Sequence, residues 1–245
     1  MKDQVALVTG GGGGIGSGIC RRLAAAGAKV VILYHSNAEK AQRALDSLEG
    51  EGHWMVQASV TDSNRLVTVA NEFKQRYGQL NLLVNNAGIT TPVPHHDLDG
   101  LSDEWIDRIF QTNWRGAFAM VRAFRPLMAN PSTIVNLSSI AGQTGVGSNV
   151  AYCASKAAMD SMTRSLARAL APQTRVLSVS PGWVLGEYAE RFSADYIESQ
   201  RMMAPMQRLS TPEDVAETVW AAHNALPMAT GVILPVDGGR PLGVE

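Results

Sequence analysis

The sequence predicts an α/β fold: a doubly wound parallel sheet of about seven strands with helices on both faces. Three observations carry this. Short apolar runs recur along the chain, amphipathic stretches of helical period separate them, and a glycine-rich turn joins the first run to the first stretch. Several runs are apolar on both faces, as strands covered by helices on each side must be. A parallel crossover needs a connection of a dozen or more residues, and the intervening stretches supply it.

The first strand is read at Val5–Val8 and the first helix at Gly14–Ala26, where Gly27 follows three alanines as a C-terminal stop. Val30–Leu33 and Ala38–Glu49 form the second strand–helix pair, Trp54–Val56 and Asn64–Tyr77 the third. Leu80–Val84 precedes a Pro-, His- and Asp-rich segment, Ile89–Leu101. A long helical stretch follows, Asp103–Met128, with Ser102 as N-cap and acids in its first turn. Ile134–Leu137 leads to the helix Ala151–Leu170, and Val176–Val179 to a long connection, Ser180–Ser210. Thr211-Pro212-Glu213-Asp214 places a cap, a proline and two acids at the start of Pro212–Ala225, and Val232–Val236 is the last strand.

No internal repeat and no Pro/Ser-rich linker divides the chain, so one catalytic domain over residues 1–245 is the economical reading. The two long segments both follow strands, and ligands of open α/β sheets bind beyond the carboxyl ends of strands. They are candidate walls of a site, with a substrate lid expected at about 183–210.

Composition narrows the function. The chain has 245 residues, 45% hydrophobic, with 21 basic and 22 acidic side chains and a net charge of −1. That balance lacks the basic footprint of a nucleic-acid binder. Cys20 and Cys153 make no disulfide framework and have no metal-site spacing. Met1-Lys2-Asp3-Gln4 runs straight into a strand without signal-peptide character, and no apolar stretch approaches the roughly 20 residues of a membrane span. A cytoplasmic protein with a small-molecule partner, no nucleic acid and no membrane is expected.

Thr9-Gly10-Gly11-Gly12-Gly13-Gly14-Ile15-Gly16 joins the first strand to the first helix. Glycine permits a tight turn and lets a pyrophosphate approach the backbone, and the helix N-terminus offers N–H groups to that phosphate. No Gly-Lys-Ser/Thr ending follows, which excludes a P-loop hydrolase.

Tyr152 and Lys156 lie four apart in a helical pattern and share one face. A phenol is a poor base at neutral pH, and a nearby ammonium favours the phenolate. The pair can therefore move a proton to or from an alcohol oxygen, with Ser139 upstream at a strand end to hydrogen-bond that oxygen.

At these motifs the chain resembles the short-chain dehydrogenase/reductases, and 3-oxoacyl-[acyl-carrier-protein] reductase-like members among them, from Val5 to Gly239. The resemblance rests on the Thr9–Gly16 turn, Asn85-Asn86-Ala87-Gly88, Asn113, Ser139, Tyr152-Cys153-Ala154-Ser155-Lys156 and Pro181-Gly182. It implies a Rossmann-type fold, a homotetramer and hydride transfer between a nicotinamide cofactor and a ketone or secondary alcohol. Tyr152 would be the general acid in reduction, Lys156 would assist it and hold the cofactor ribose, and Ser139 would polarise the carbonyl. Asn113 would position a relay water. Gly10, Gly14, Ile15, Gly16, Ser59, Val60, Asn86, Ala87, Gly88, Pro181, Gly182 and Val184 would line the cofactor.

Three positions depart from the family pattern: Ser59 where an Asp is frequent, Leu177 where an Asn is, and Gly186 where a Thr is. At the end of the second strand stand Tyr34, His35, Ser36 and Asn37 rather than an acid that would bind both ribose hydroxyls of NAD. This favours NADP, with NAD the alternative. His95-His96-Asp97 lacks further ligands at suitable spacing and reads as a polar loop, and Cys153 as a packed residue rather than a redox thiol. The leading reading is an NADPH-dependent carbonyl reductase, possibly of 3-oxoacyl substrates. The alternatives are an NAD-dependent alcohol or diol dehydrogenase, or a catalytically silent dinucleotide-binding regulator.

Overall fold

A computed structural model describes residues 1–186 and 189–243. Seven strands form one parallel sheet in the order β3-β2-β1-β4-β5-β6-β7. They are β1 (Val5–Thr9), β2 (Lys29–Tyr34), β3 (Trp54–Gln57), β4 (Leu80–Asn85), β5 (Met128–Leu137), β6 (Thr174–Pro181) and β7 (Ile233–Val236). The order reverses at β1, because the chain moves outward through β2 and β3 and then returns to β4 on the other side. That switch opens a crevice at the carboxyl ends of β1 and β4, where α/β sheets bind ligands.

The helices are α1 (Gly14–Ala25), α2 (Ala38–Asp46), α3 (Ser63–Tyr77), α4 (Asp103–Phe110), α5 (Ala117–Phe124), α6 (Ala141–Thr144), α7 (Val150–Leu170), α8 (Ala194–Met202) and α9 (Pro212–Asn224). Polar side chains cap most of them. Asn37, Asp62, Ser102, Asn149 and Thr211 each accept a backbone N–H from the first turn of α2, α3, α4, α7 and α9. Alternate strand residues feed two cores. Ala6, Val8 and Ile32 pack with α1, α2 and α9, whereas Leu7, Val31 and Leu83 pack with α3 and α5. No described helix is long and apolar enough to cross a membrane.

The expected helix Asp103–Met128 is corrected. It is α4, a π-helical stretch Gln111–Gly116, α5 and a short 3-10 turn Arg125–Leu127. Met128 pairs with Leu80, so β5 starts six residues before the apolar run at Ile134. Its early part, Asn130 to Thr133, is polar, which concealed it from an apolar-run reading. α6 and α8 lay inside segments read as connections, being too short or too weakly patterned to register.

Candidate active site

The carboxyl ends of β1, β4, β5 and β6 open into a cleft of about 1560 Å³. The glycine turn, the β4–α4 loop, α7 and the Trp183–Met203 segment wall it.

In the turn, Gly10 has φ +66°, and a Cβ there would lie 3.2 Å from Ala87 Cα. A Cβ on Gly16 would sit 2.3 Å from Gly10 O, so only glycine fits. Gly14 differs, because a Cβ there would meet nothing within 4 Å. It faces open cleft. The N-cap of α1 is Gly13, with no side-chain cap and no acid in the first turn. These N–H groups and the helix dipole are thus left for an anion. No carboxylate lines the cleft among the described residues. The arrangement fits the pyrophosphate of a dinucleotide. Thr9 and Asn86 hold the turn to the end of β4. Thr9 Oγ1 accepts from the backbone N–H groups of Asn86 (3.0 Å) and Ala87 (2.9 Å), and Asn86 Nδ2 donates to Thr9 O at 2.9 Å.

On the opposite wall, α7 presents Tyr152 and Lys156 to the cleft, beside Ser139 at the end of β5. The Lys156 ammonium lies 5.7 Å from the Tyr152 ring centroid and donates to Leu137 O at 2.6 Å. Lys156 is buried, and burial lowers its pKa to about 8, opposed by the nearby Asp160 carboxylate. Ser139 Oγ accepts from Ala141 N at 3.2 Å, which fixes the hydroxyl at the start of α6. Asn113 lies in the π-helical stretch and is fully buried. Its Oδ1 accepts from Ile89 N (2.8 Å), and its Nδ2 donates to Ile89 O and Ser155 Oγ (both 3.1 Å). Its side chain is committed to those bonds.

A family profile described as Enoyl-(Acyl carrier protein) reductase matches residues 10–240. The chain is 32% identical to 3-oxoacyl-[acyl-carrier-protein] reductase FabG of Staphylococcus aureus over 240 residues, covering 96% of each. A crystal structure from Brucella melitensis, described as a short-chain dehydrogenase/reductase of the glucose/ribitol dehydrogenase type, superposes with a TM-score of 0.92 at 29% identity. It covers 98% of this chain and 97% of that one. The chain belongs to the short-chain dehydrogenase/reductase family. A third relative of this oxidoreductase is the cis-4-hydroxycyclohexanecarboxylate dehydrogenase of Sinomonas cyclohexanicum, 36% identical over 247 residues and covering 98% and 97% of the two chains.

In this short-chain dehydrogenase/reductase, Gly10, Gly14, Ile15, Gly16, Ser59, Val60, Asn86, Ala87, Gly88, Pro181, Gly182 and Val184 all line the same cleft as the catalytic candidates Ser139, Tyr152 and Lys156. Gly88 sits between Asn113 and Lys156, since its Cβ would lie 3.3 Å from Asn113 Oδ1 and 3.8 Å from Lys156 Nζ. After β2 the four expected residues separate. His35 lines the cleft, Asn37 caps α2 by accepting from Lys40 N, and Tyr34 packs half-buried against the core. Ser36 is exposed and lies off the cleft wall.

The departures have local reasons. Leu177 is fully buried in β6, and Ser59 Oγ bonds Thr61 Oγ1 at 2.7 Å. Gly186 has φ +133°, a conformation that disfavours a Thr. The His95–Asp97 segment belongs to no metal-holding group among the described residues. Burial raises the Cys153 pKa, consistent with a packed thiol.

Sequence reading missed Asn149, Asp160 and Arg240 around the site, and read Thr9 only as the start of the glycine turn. Asn149 left a signal, an Asn three positions before Tyr152 at a helix start. Asp160 left one too, an acid one helical turn after Lys156, whereas Arg240 and the bonds made by Thr9 depend on long-range contacts that no local pattern encodes.

Proposed function

We propose that this oxidoreductase is an NADPH-dependent carbonyl reductase acting on ketones, 3-oxoacyl substrates among them. The observation that carries the proposal is the buried Lys156 ammonium held beside the Tyr152 ring on one wall of a cleft whose other wall fits a dinucleotide. When bound, the nicotinamide cofactor would supply the hydride. Tyr152 donates its phenolic proton to the carbonyl oxygen, and the Lys156 ammonium favours the phenolate left behind. Ser139 hydrogen-bonds the same oxygen. Lys156 has further N–H donors for a ribose hydroxyl, and Asn113 holds Ile89 and α7 in register.

The lack of an acid across Tyr34–Asn37 supports NADPH over NADH. The FabG relative supports the reductive direction, and the Sinomonas relative supports the second reading, an NAD-dependent alcohol dehydrogenase. The Trp183–Ser210 strap is the proposed substrate lid. Its two ends are joined by the Val184–Ser210 bridge. Glu187 and Tyr188 of this lid lie outside the described residues. A homotetramer belongs to the same reading, with the exposed Phe118, stacked on Trp114, and Val150 as surfaces to be covered.

Oxidation of NADPH and NADH across a panel of ketones, acyl thioesters and sugars tests the proposal. NADPH turnover is expected, and His35→Asp should move preference toward NADH by placing a carboxylate on the cleft wall. A several-fold preference of the wild type for NADH overturns the NADPH assignment.

A further inference from the structure

The substrate end of the cleft is roofed by the rings of Trp183, Phe192 and Tyr196, with centroids 5.1–5.6 Å apart. Beside them, Arg240 enters the cleft from the turn after β7. Its position is built. Gly238 and Gly239 both take left-handed φ, +65° and +80°, and pack on Ala204 and Pro205 at the end of the lid. Gly238 O accepts from Met206 N at 3.1 Å. The guanidinium is half-buried and forms no ion pair among the described residues. Its Nη1 is buried without a hydrogen-bond partner, and its Nη2 has only the Met203 sulfur, at 3.8 Å. An always-charged, forked donor with no anion of its own, in a cleft without carboxylates among the described residues, is matched by a planar anion.

We propose that the substrate is a ketone or secondary alcohol that itself carries a carboxylate, and that Arg240 binds this carboxylate and sets specificity. This rests on the carbonyl/alcohol reading above and adds the substrate class. The aromatic roof suits a ring or short apolar body between the two polar ends.

The test compares 4-oxocyclohexanecarboxylate with its methyl ester as probes for NADPH oxidation, in wild type, Arg240→Met and Arg240→Lys. Wild type should favour the acid in kcat/KM by about tenfold or more, mainly through KM. Arg240→Met should lose that preference while keeping turnover of the ester, and Arg240→Lys should restore part of it. No acid preference in wild type, or one that survives in Arg240→Met, overturns the proposal. A second pair, acetoacetyl-CoA and acetoacetyl-N-acetylcysteamine, differs in the phosphates of the carrier arm. If Arg240→Met changes discrimination there and not between acid and ester, the anion is a phosphate and the carboxylate assignment falls. If neither cyclohexane probe turns over although NADPH binds, that counts against the reaction reading alone. Calorimetric binding of 4-oxocyclohexanecarboxylate then decides, with binding lost in Arg240→Met as support and no binding to wild type as refutation.

Discussion

The proposed mechanism concentrates the chemistry in two side chains one helical turn apart, Tyr152 and Lys156. Tyr152→Phe removes a hydroxyl and leaves the ring, so the fold and dinucleotide affinity should persist. Its kcat should fall about 100-fold or more, the order of general acid–base catalysis. Near-wild-type turnover would refute the assignment. Lys156 is tuned by a neighbour that touches neither cofactor nor substrate in this scheme. Burial lowers its pKa to about 8, and the Asp160 carboxylate opposes that shift. Asp160 is itself buried, with Oδ1 accepting from Ser178 Oγ at 3.1 Å, and burial raises its own pKa. Asp160 is therefore a positioning and charge-balancing residue. Asp160→Asn keeps the acceptor for Ser178 and removes the charge. Reduction needs the Lys156 ammonium, so its basic limb should lie near pH 8 in wild type and move to lower pH in Asp160→Asn. A pH profile of kcat reads this, and an unmoved limb would show that Asp160 does not act through Lys156.

At the scale of elements, α7 is placed by its N-cap. Asn149 Oδ1 accepts from Tyr152 N at 2.7 Å, while its Nδ2 donates to Thr91 O at 2.7 Å in the β4–α4 loop. One side chain thus caps the start of the helix and ties the Tyr152 backbone to the opposite lip of the cleft. Asn149→Ala should cost about 1 kcal/mol from the cap alone. It should also raise KM as the loop loosens, measured by denaturant unfolding and steady-state kinetics together. Unchanged stability and kinetics would show the cap to be dispensable. The same helix shows what a sequence can and cannot reveal. Its Tyr–Lys spacing, like the glycine turn of α1, is local and was readable. So were the strands with a run of apolar residues at their centre, β1, β2 and β4. The polar start of β5 and the π-helical stretch at Asn113 were not, because pairing with β4 and side-chain bonds to Ile89 decide them. Arg240 was hidden for the same reason. It lies 57 residues beyond Trp183 in the chain and comes beside it only through the strand order β6–β7.

Across the whole molecule, the strand register aligns polar side chains where the cleft opens and a second polar network at the far side of the sheet. Near the cleft, Asn85 pairs in register with Asn136 and Asn136 with Ser178, and the Asn85 amide donates to Asn136 Oδ1 at 2.9 Å. On the other side, Arg175 Nη2 donates to Thr133 Oγ1 at 3.0 Å. Nδ1 of His223 lies within hydrogen-bond distance of the same hydroxyl, also at 3.0 Å. Its Nε2 lies 3.0 Å from Gln4 Oε1 and donates to it when protonated. This chain of contacts joins α9, β5, β6 and the residue before β1. Burial first, then the Arg175 and N-terminal charges, lower the His223 pKa from 6.5 to about 4. Between these values the unfolded chain binds a proton that the folded chain refuses, so stability falls as pH drops. The contribution is complete above about pH 6.5 and is lost toward pH 4, on the order of 3 kcal/mol. Urea unfolding from pH 7 to pH 4 should show this loss. His223→Asn, which cannot ionise, should flatten the slope in that window, and an equal slope in both proteins would place the acid sensitivity elsewhere.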